Sequence, residues 1–394
     1  MNFFTRVRSI IARIAPPLFF AVVAVTTTSC AWLQDRRDEN KGIHVERLKV
    51  PAGYRVSLLA SDMPMARHMV MGSQGTLFVG SMAGNVYALT MNDSAVTQQR
   101  VLIKGLRDPS GVAFKDGTLF VADRTRIVRF DGIEQHLDAP GASMTVIDGL
   151  PDKSRHDAHA MGVGPDGKLY VAVGSPCDTC EAKDDEYGVI LRMNPDGSGK
   201  EVYARGIRNS VGFDWHPQTR ELWFTENGGD ALGLERPNDE LNRVVKVGEN
   251  FGFPYCHDGE IPDPEFGVKH ACAEFSAPAA KLGAHVAALG MRFDTTAQTA
   301  GDVSMIIARH GSHPPIRVGY DVVRVRAQAG QPQQIEPFLT GFLEGNRYWG
   351  RPVDILIMRD GSVLVSDDLN GAIYRVSREV GLPSSLPMTT SFYR

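Results

Sequence analysis

The amino-acid sequence predicts an all-β fold, a six-bladed β-propeller, on three observations. A turn followed by an extended apolar run recurs in order along the chain. A second short strand, often ending in Arg and an apolar residue, follows these runs and reaches six copies. Almost no stretch shows the 3.6-residue period of an amphipathic helix. A four-stranded blade buries its faces only against its neighbours, so such a ring has to close. A pair of β-sandwiches is the alternative architecture for so many strands.

The elements follow in chain order. Arg6, Arg8 and Arg13 precede an apolar run from Ile14 to Val25, with no acidic residue before Asp35. The run is too short to span a bilayer and has the layout of a secretory signal over residues 1–29. Thr27-Thr28-Ser29-Cys30 resembles a bacterial lipobox, with Thr27 where Leu is usual, and makes Cys30 the expected lipidated residue. Plain cleavage near Ser29 is the other reading. The expectation is an exported protein on the periplasmic side of a bacterial envelope, an outer-membrane lipoprotein that meets the membrane only through its lipid. Residues 30–45, charged from Asp35 to Lys41, read as a tether. Residues 46–380 read as one propeller domain and 381–394 as a tail.

Val56 to Leu59 lies ahead of the first repeat and is placed to supply the closing strand of the last blade. The first unit then reads Gly75-Thr76-Leu77-Phe78-Val79, Asp116-Gly117-Thr118-Leu119-Phe120-Val121 and Asp166-Gly167-Lys168-Leu169-Tyr170-Val171. It returns at Thr219-Arg220-Glu221-Leu222-Trp223-Phe224 and Asp360-Gly361-Ser362-Val363-Leu364-Val365. Asp-Gly before a β-branched or aromatic run is a hairpin signal. The second unit starts at Asn85, Ile127, Ile190, Leu241, Val322 and Ile373. The copy of the first unit missing before Val322 is expected near Ser304 to Ala308.

The 394 residues carry 42 Lys and Arg against 46 Asp and Glu, a net charge of −4. Removing residues 1–29 takes away three arginines and no acid, which makes the exported chain −7. That balance argues against nucleic acid as a partner, because phosphate binding needs clustered Lys and Arg. With 43% hydrophobic and 22% charged residues, the chain is neither disordered nor a multi-span membrane protein. Beyond Cys30 stand Cys177, Cys180, Cys256 and Cys272, an even number that suits an oxidising compartment. Short loops favour pairing 177 with 180 and 256 with 272. A zinc site or a redox-active Cys177/Cys180 pair are the rival readings.

Propellers carry function on loops around the channel. Four polar stretches break the strand pattern: His156-Asp157-Ala158-His159, Gly206-Ile207-Arg208-Asn209-Ser210, Thr225 to Asp230 with Asn238 to Asn242, and Trp349 to Asp354 with Ser366-Asp367-Asp368. A histidine suits proton abstraction. Arginine offers a rigid fork to a carboxylate or quinone oxygen, and Arg208 and Arg351 are expected to meet across a central pocket. Oxygen donors with glycine at tight turns suit Ca²⁺.

At these residues the chain resembles the pyrroloquinoline quinone (PQQ)-dependent sugar dehydrogenases, and more narrowly the L-sorbosone dehydrogenase-type proteins. Gly206 to Asn209, Glu226-Asn227-Gly228-Gly229, Asp239 to Asn242, Asn250 to Cys256, Lys281 to Val286, Gly290 to Phe293, and Gly350 to Asp354 with Val365 to Asp368 carry the likeness in order. The resemblance implies PQQ in the central channel, held by Ca²⁺, and oxidation of a sugar or sugar aldehyde with electrons passed to a periplasmic acceptor. It implies His156 as general base and Arg208 at the quinone oxygens, with Asn209 and Asn227 beside them. Gly228 and Gly229 would give Ca²⁺ their carbonyls, Arg351 would hold a PQQ carboxylate, and His285 would line the pocket. The chain departs from the pattern at Ser175, where the glucose-oxidising branch has an Asp supporting the histidine and where nearby Asp178 is the expected substitute. It departs again at Arg309 and over Ser312 to Pro315, a loop expected to border the pocket. A non-catalytic carbohydrate- or protein-binding propeller and a Ca²⁺-dependent lactonase are the other functional readings.

Overall fold

A computed structural model describes residues 39–379 apart from 93–94, 153–154, 296–301 and 329–330. The signal segment, Cys30 and the tail from Gly381 onward lie outside the described residues. The described chain folds into six blades of four antiparallel strands, a six-bladed β-propeller, with the short strand Glu249–Asn250 added in parallel to the outer edge of the third. Blade 1 is Ala66–Met71, Thr76–Ser81, Asn85–Asn92 and Ala95–Lys104. Blade 2 runs from Gly111–Lys115 to Met144–Asp148, and blade 3 from Met161–Val163 to Glu201–Arg205. Blade 4 begins at Gly212–Trp215 and ends with Ala280–Ala284, and blade 5 spans Ala288–Asp294 to Gln331–Leu339.

Blade 6 closes the ring. Its own strands are Pro352–Ile357, Val363–Asp367 and Ala372–Arg378, and its fourth strand is Tyr54–Ala60 from the start of the chain. Val56 pairs with Val376 and Leu58 with Tyr374, so the expected closing strand is in place. The stretch read as a tether packs down from Glu39, which bridges to Tyr348, while the Gly42 amide donates to Asn370 Oδ1 at 2.9 Å. Glu39 and Lys41 face solvent, and the main chain here finds partners on the loops ahead of and within blade 6.

The repeat maps onto the second and third strands of each blade, which are buried on both faces and therefore read as unbroken apolar runs. Leu169–Val173 and Val363–Asp367 are buried at every residue. The missing first unit is the strand Asp302–Arg309, and the sequence ahead of it carries no Asp-Gly. Where the signal is strongest its mechanism is plain. Asp116 and Gly117 sit at φ 50° and 79° between paired Lys115 and Thr118, as a type I′ turn requires.

Among the described residues, one apolar cluster fills each interface between neighbouring blades. Trp223, Met291 and Met305 lie between blades 4 and 5. Leu77, Leu89, Leu364 and Ile373 lie across the seam where blade 6 meets blade 1. The first strand of each blade lines the axis. Because strands alternate in direction, the connections from second to third strand and from blade to blade open on one face. That face carries the site.

Candidate active site

Loops of blades 3, 4 and 5 on this face enclose a cavity of about 490 Å³, within the range of small-molecule sites. Its lining includes His156, Arg208, Asn209, Asn227, Gly228 and His285. Six residues from four separate stretches thus line one cavity, and Gly229 lies just outside it.

His156 precedes the first strand of blade 3. Its Nδ1 lies 3.0 Å from the main-chain carbonyl of Ser175. A carbonyl can only accept, so Nδ1 carries the proton and Nε2 carries the lone pair. Burial, and then the Arg208 charge, push the imidazole down from its ordinary 6.5 to about 4. It is neutral at physiological pH, as a base must be. The expected substitute, Asp178, does not take this place: its carboxylate pairs with Arg208.

Arg208 lies in the loop between blades 3 and 4 and is almost wholly buried. Its amide donates to Glu226 Oε1 at 2.5 Å. Nε donates to the Asp178 carbonyl at 2.9 Å, Nη1 to the Asn227 carbonyl at 3.2 Å, and Nη2 to Asp178 Oδ1. Burial works to raise the Asp178 carboxyl, but the hydrogen bond and charge of Arg208 outweigh it and hold the group below its ordinary value.

The Asn209 amide donates to Asn227 Oδ1 at 3.1 Å, and Asn227 in turn donates to the Ala288 carbonyl at 2.7 Å. Buried Asp239 ties the next turn, accepting from the Gly228 amide at 3.0 Å and the Ala288 amide at 2.7 Å. Burial raises its carboxyl to about 6. Among the described residues the carbonyls of Gly228 and Gly229 accept no hydrogen bond, which leaves them available to a hard cation. No group of three His, Cys, Asp or Glu there is arranged to hold a metal. His285, at φ 57°, places Nε2 2.7 Å from the Gly233 carbonyl.

Arg351 does not join Arg208 in the lining. Its guanidinium donates to the carbonyls of His310 at 3.3 Å and Gly311 at 2.8 Å, beside the rings of Tyr320 and Tyr348. The segment from Gly311 to Ile316 lines the cavity on that side instead, and Arg351 supports it from behind. The loop over Ser312 to Pro315 thus borders the pocket as expected, whereas Arg309 forks onto Asp321 at 2.6 and 2.7 Å. His159 is also set aside: Nδ1 and Nε2 lie 2.8 and 2.9 Å from the carbonyls of Ala172 and Arg124. Arg155, beside His156 in sequence, lines the cavity although no motif marked it. Both disulfides are present with the local pairing, Cys177–Cys180 and Cys256–Cys272.

Fold and cavity together define a propeller protein whose channel-side cavity holds a neutral histidine, a buried arginine and the turn at Gly228. The family model described as TrAA12-like matches residues 48–379, and the chain belongs to that family. An uncharacterised protein of Borreliella burgdorferi is 31% identical over 350 residues, covering 84% of this chain and 91% of its own. A pyrroloquinoline quinone-dependent sugar dehydrogenase of Hypocrea jecorina is 21% identical over 365 residues, 78% of this chain and 84% of that one. Among solved structures, Trichoderma reesei Carbohydrate-Active Enzymes Family AA12 superposes with a TM-score of 0.76 at 21% identity, over 86% of this chain and 100% of that one. The PQQ domain of a pyranose dehydrogenase from Coprinopsis cinerea gives 0.74 at 18% identity, over 86% and 98%. The resemblance drawn from the motifs is borne out at the level of family and fold.

Proposed function

We propose that the protein is a PQQ- and Ca²⁺-dependent oxidoreductase that oxidises a sugar or sugar aldehyde. The observation that carries the reading is neutral His156 sharing one cavity with buried Arg208 in a chain of this family. PQQ supplies an electron-accepting quinone when bound. Arg208, Asn209, Asn227 and His285 would hold it, and the fixed Arg208 charge stabilises negative charge on an oxygen beside it. His156 takes the hydroxyl proton of the substrate at Nε2, while Ser175 fixes the ring through Nδ1.

The carbonyls of Gly228 and Gly229 suit Ca²⁺. Two protein oxygens are far fewer than the six to eight such an ion takes, so the ion needs oxygens from cofactor and water. Ca²⁺ and PQQ are therefore expected to bind together, each weakly alone. Two disulfides support an oxidising compartment, in line with export to the periplasmic side as a lipoprotein and with an electron acceptor located there.

The test is titration of purified protein with PQQ and Ca²⁺ by absorbance. Dye reduction is then followed with aldoses, L-sorbosone and simple aldehydes. Saturable binding, and dye reduction that His156→Ala abolishes, are the expected results. A folded protein that leaves the PQQ spectrum unchanged sinks the proposal. Release of acid from lactones with Ca²⁺ alone would turn it toward a lactonase.

A further inference from the structure

We infer that Asp178 is the positioning residue for Arg208, and that the Cys177–Cys180 disulfide holds Asp178 in that task; the inference rests on reading Arg208 as a cofactor-holding residue. The bridge joins cysteines three positions apart and encloses only Asp178 and Thr179. Asp178 spends two acceptors on one guanidinium: its carbonyl on Nε and its carboxylate on Nη2. A carboxylate alone can follow an arginine through several rotamers. A main-chain carbonyl inside a closed ring cannot, so the pair of contacts sets both where the fork lies and which way its plane faces.

The rest of the segment points to the same task. The Ser175 amide donates to the Arg208 carbonyl at 2.8 Å, and Ser175 Oγ donates to the Cys177 carbonyl at 2.5 Å. The Ser175 carbonyl is also the acceptor for His156 Nδ1. One stretch, Ser175 to Cys180, therefore reaches both groups assigned to the chemistry. The rival carboxylate for Arg208 is Asp230, 3.5 Å from Nη2 and 61% exposed against 24% for Asp178. Solvent competes for Asp230, which makes it a poor anchor.

Two measurements test this, one of which needs no cofactor. In unliganded protein, hydrogen exchange of the Arg208 Nε–H is followed by nitrogen-15 arginine NMR, with the signal assigned through Arg208→Lys. Cys177→Ala/Cys180→Ala, which frees the carbonyl that accepts from Nε, is expected to speed exchange at least tenfold, and Asp178→Ala, which keeps that carbonyl and loses only the Nη2 acceptor, speeds it less but measurably. Asp178→Asn, which keeps an acceptor oxygen for Nη2 and so still holds the fork against the carbonyl, stays close to the parent protein, and Cys256→Ala/Cys272→Ala leaves exchange unchanged. With PQQ and Ca²⁺ added, the first two variants both weaken PQQ binding, the disulfide variant tenfold or more, and combining them is no worse than Cys177→Ala/Cys180→Ala alone. Unchanged exchange in both variants overturns the inference whatever PQQ does. So does faster exchange with normal PQQ affinity when Arg208→Lys binds poorly. If Arg208→Lys also binds PQQ normally while exchange responds, the positioning stands and the cofactor role of Arg208 falls.

Discussion

His156 owes its state to three neighbours. Burial and the charges of Arg208 and Arg155 disfavour the imidazolium, while the Ser175 carbonyl favours it only in part. With a folded value near 4 against an ordinary 6.5, the unfolded chain takes up the proton first as pH falls. The contribution to stability is present above 6.5 and lost as pH drops toward 4. The acid limb of the PQQ-loaded rate is expected to have its midpoint near 4. Arg208→Met should move that midpoint upward, as a pH-rate profile of both proteins will show. His156→Gln, which cannot take the proton, should lower kcat by about 10²–10⁴-fold. His156 and His159 sit three positions apart and are alike in sequence. Only the carbonyls around each separate them, and those come from distant strands. Arg351 shows a similar limit: its motif marks the residue but not the loop that stands between it and the cavity.

Single elements carry separable parts of the stability. The excursion between the third and fourth strands of blade 4 is closed by Cys256–Cys272, with a sequence separation of 16. Closing a loop of that length removes about 3 kcal/mol of chain entropy from the unfolded state. Cys256→Ala/Cys272→Ala is therefore expected to lower stability by about that much in urea unfolding, with PQQ binding unaffected. Strands of this kind were legible because double-sided burial writes them as apolar runs, which is why Leu222–Glu226 and Ala372–Arg378 could be counted. The excursion itself was not, since its short strands Cys256–His257 and Ile261–Pro262 follow from the cross-link rather than from a period.

At the scale of the molecule, stability is shared among interfaces rather than gathered in one core. Leu364, fully buried between blades 6 and 1, packs across the seam that the closing strand completes. Leu364→Ala should cost about 2–5 kcal/mol by the cavity it leaves, read by chemical denaturation, and the cavity near His156 should keep its ligand affinity. Removing residues through Ala60 is a different injury. It bares the edge of Ala372–Arg378, and an unpaired edge invites pairing between molecules. Concentration-dependent association by light scattering is the expected outcome. Six copies of one strand made the ring countable. Which loops would gather at its axis depended on the closure itself.

That closure also sets a timetable. Tyr54–Ala60 is synthesised before every other strand of the ring and finds its partner, Ala372–Arg378, only after all the strands between them exist. Joining such distant segments is slow. A chain threaded through a membrane from its leading end would thus emerge with its earliest strand waiting for its latest. The last blade is in effect a clasp, and a ring of this design stays an open thread until its final strand arrives.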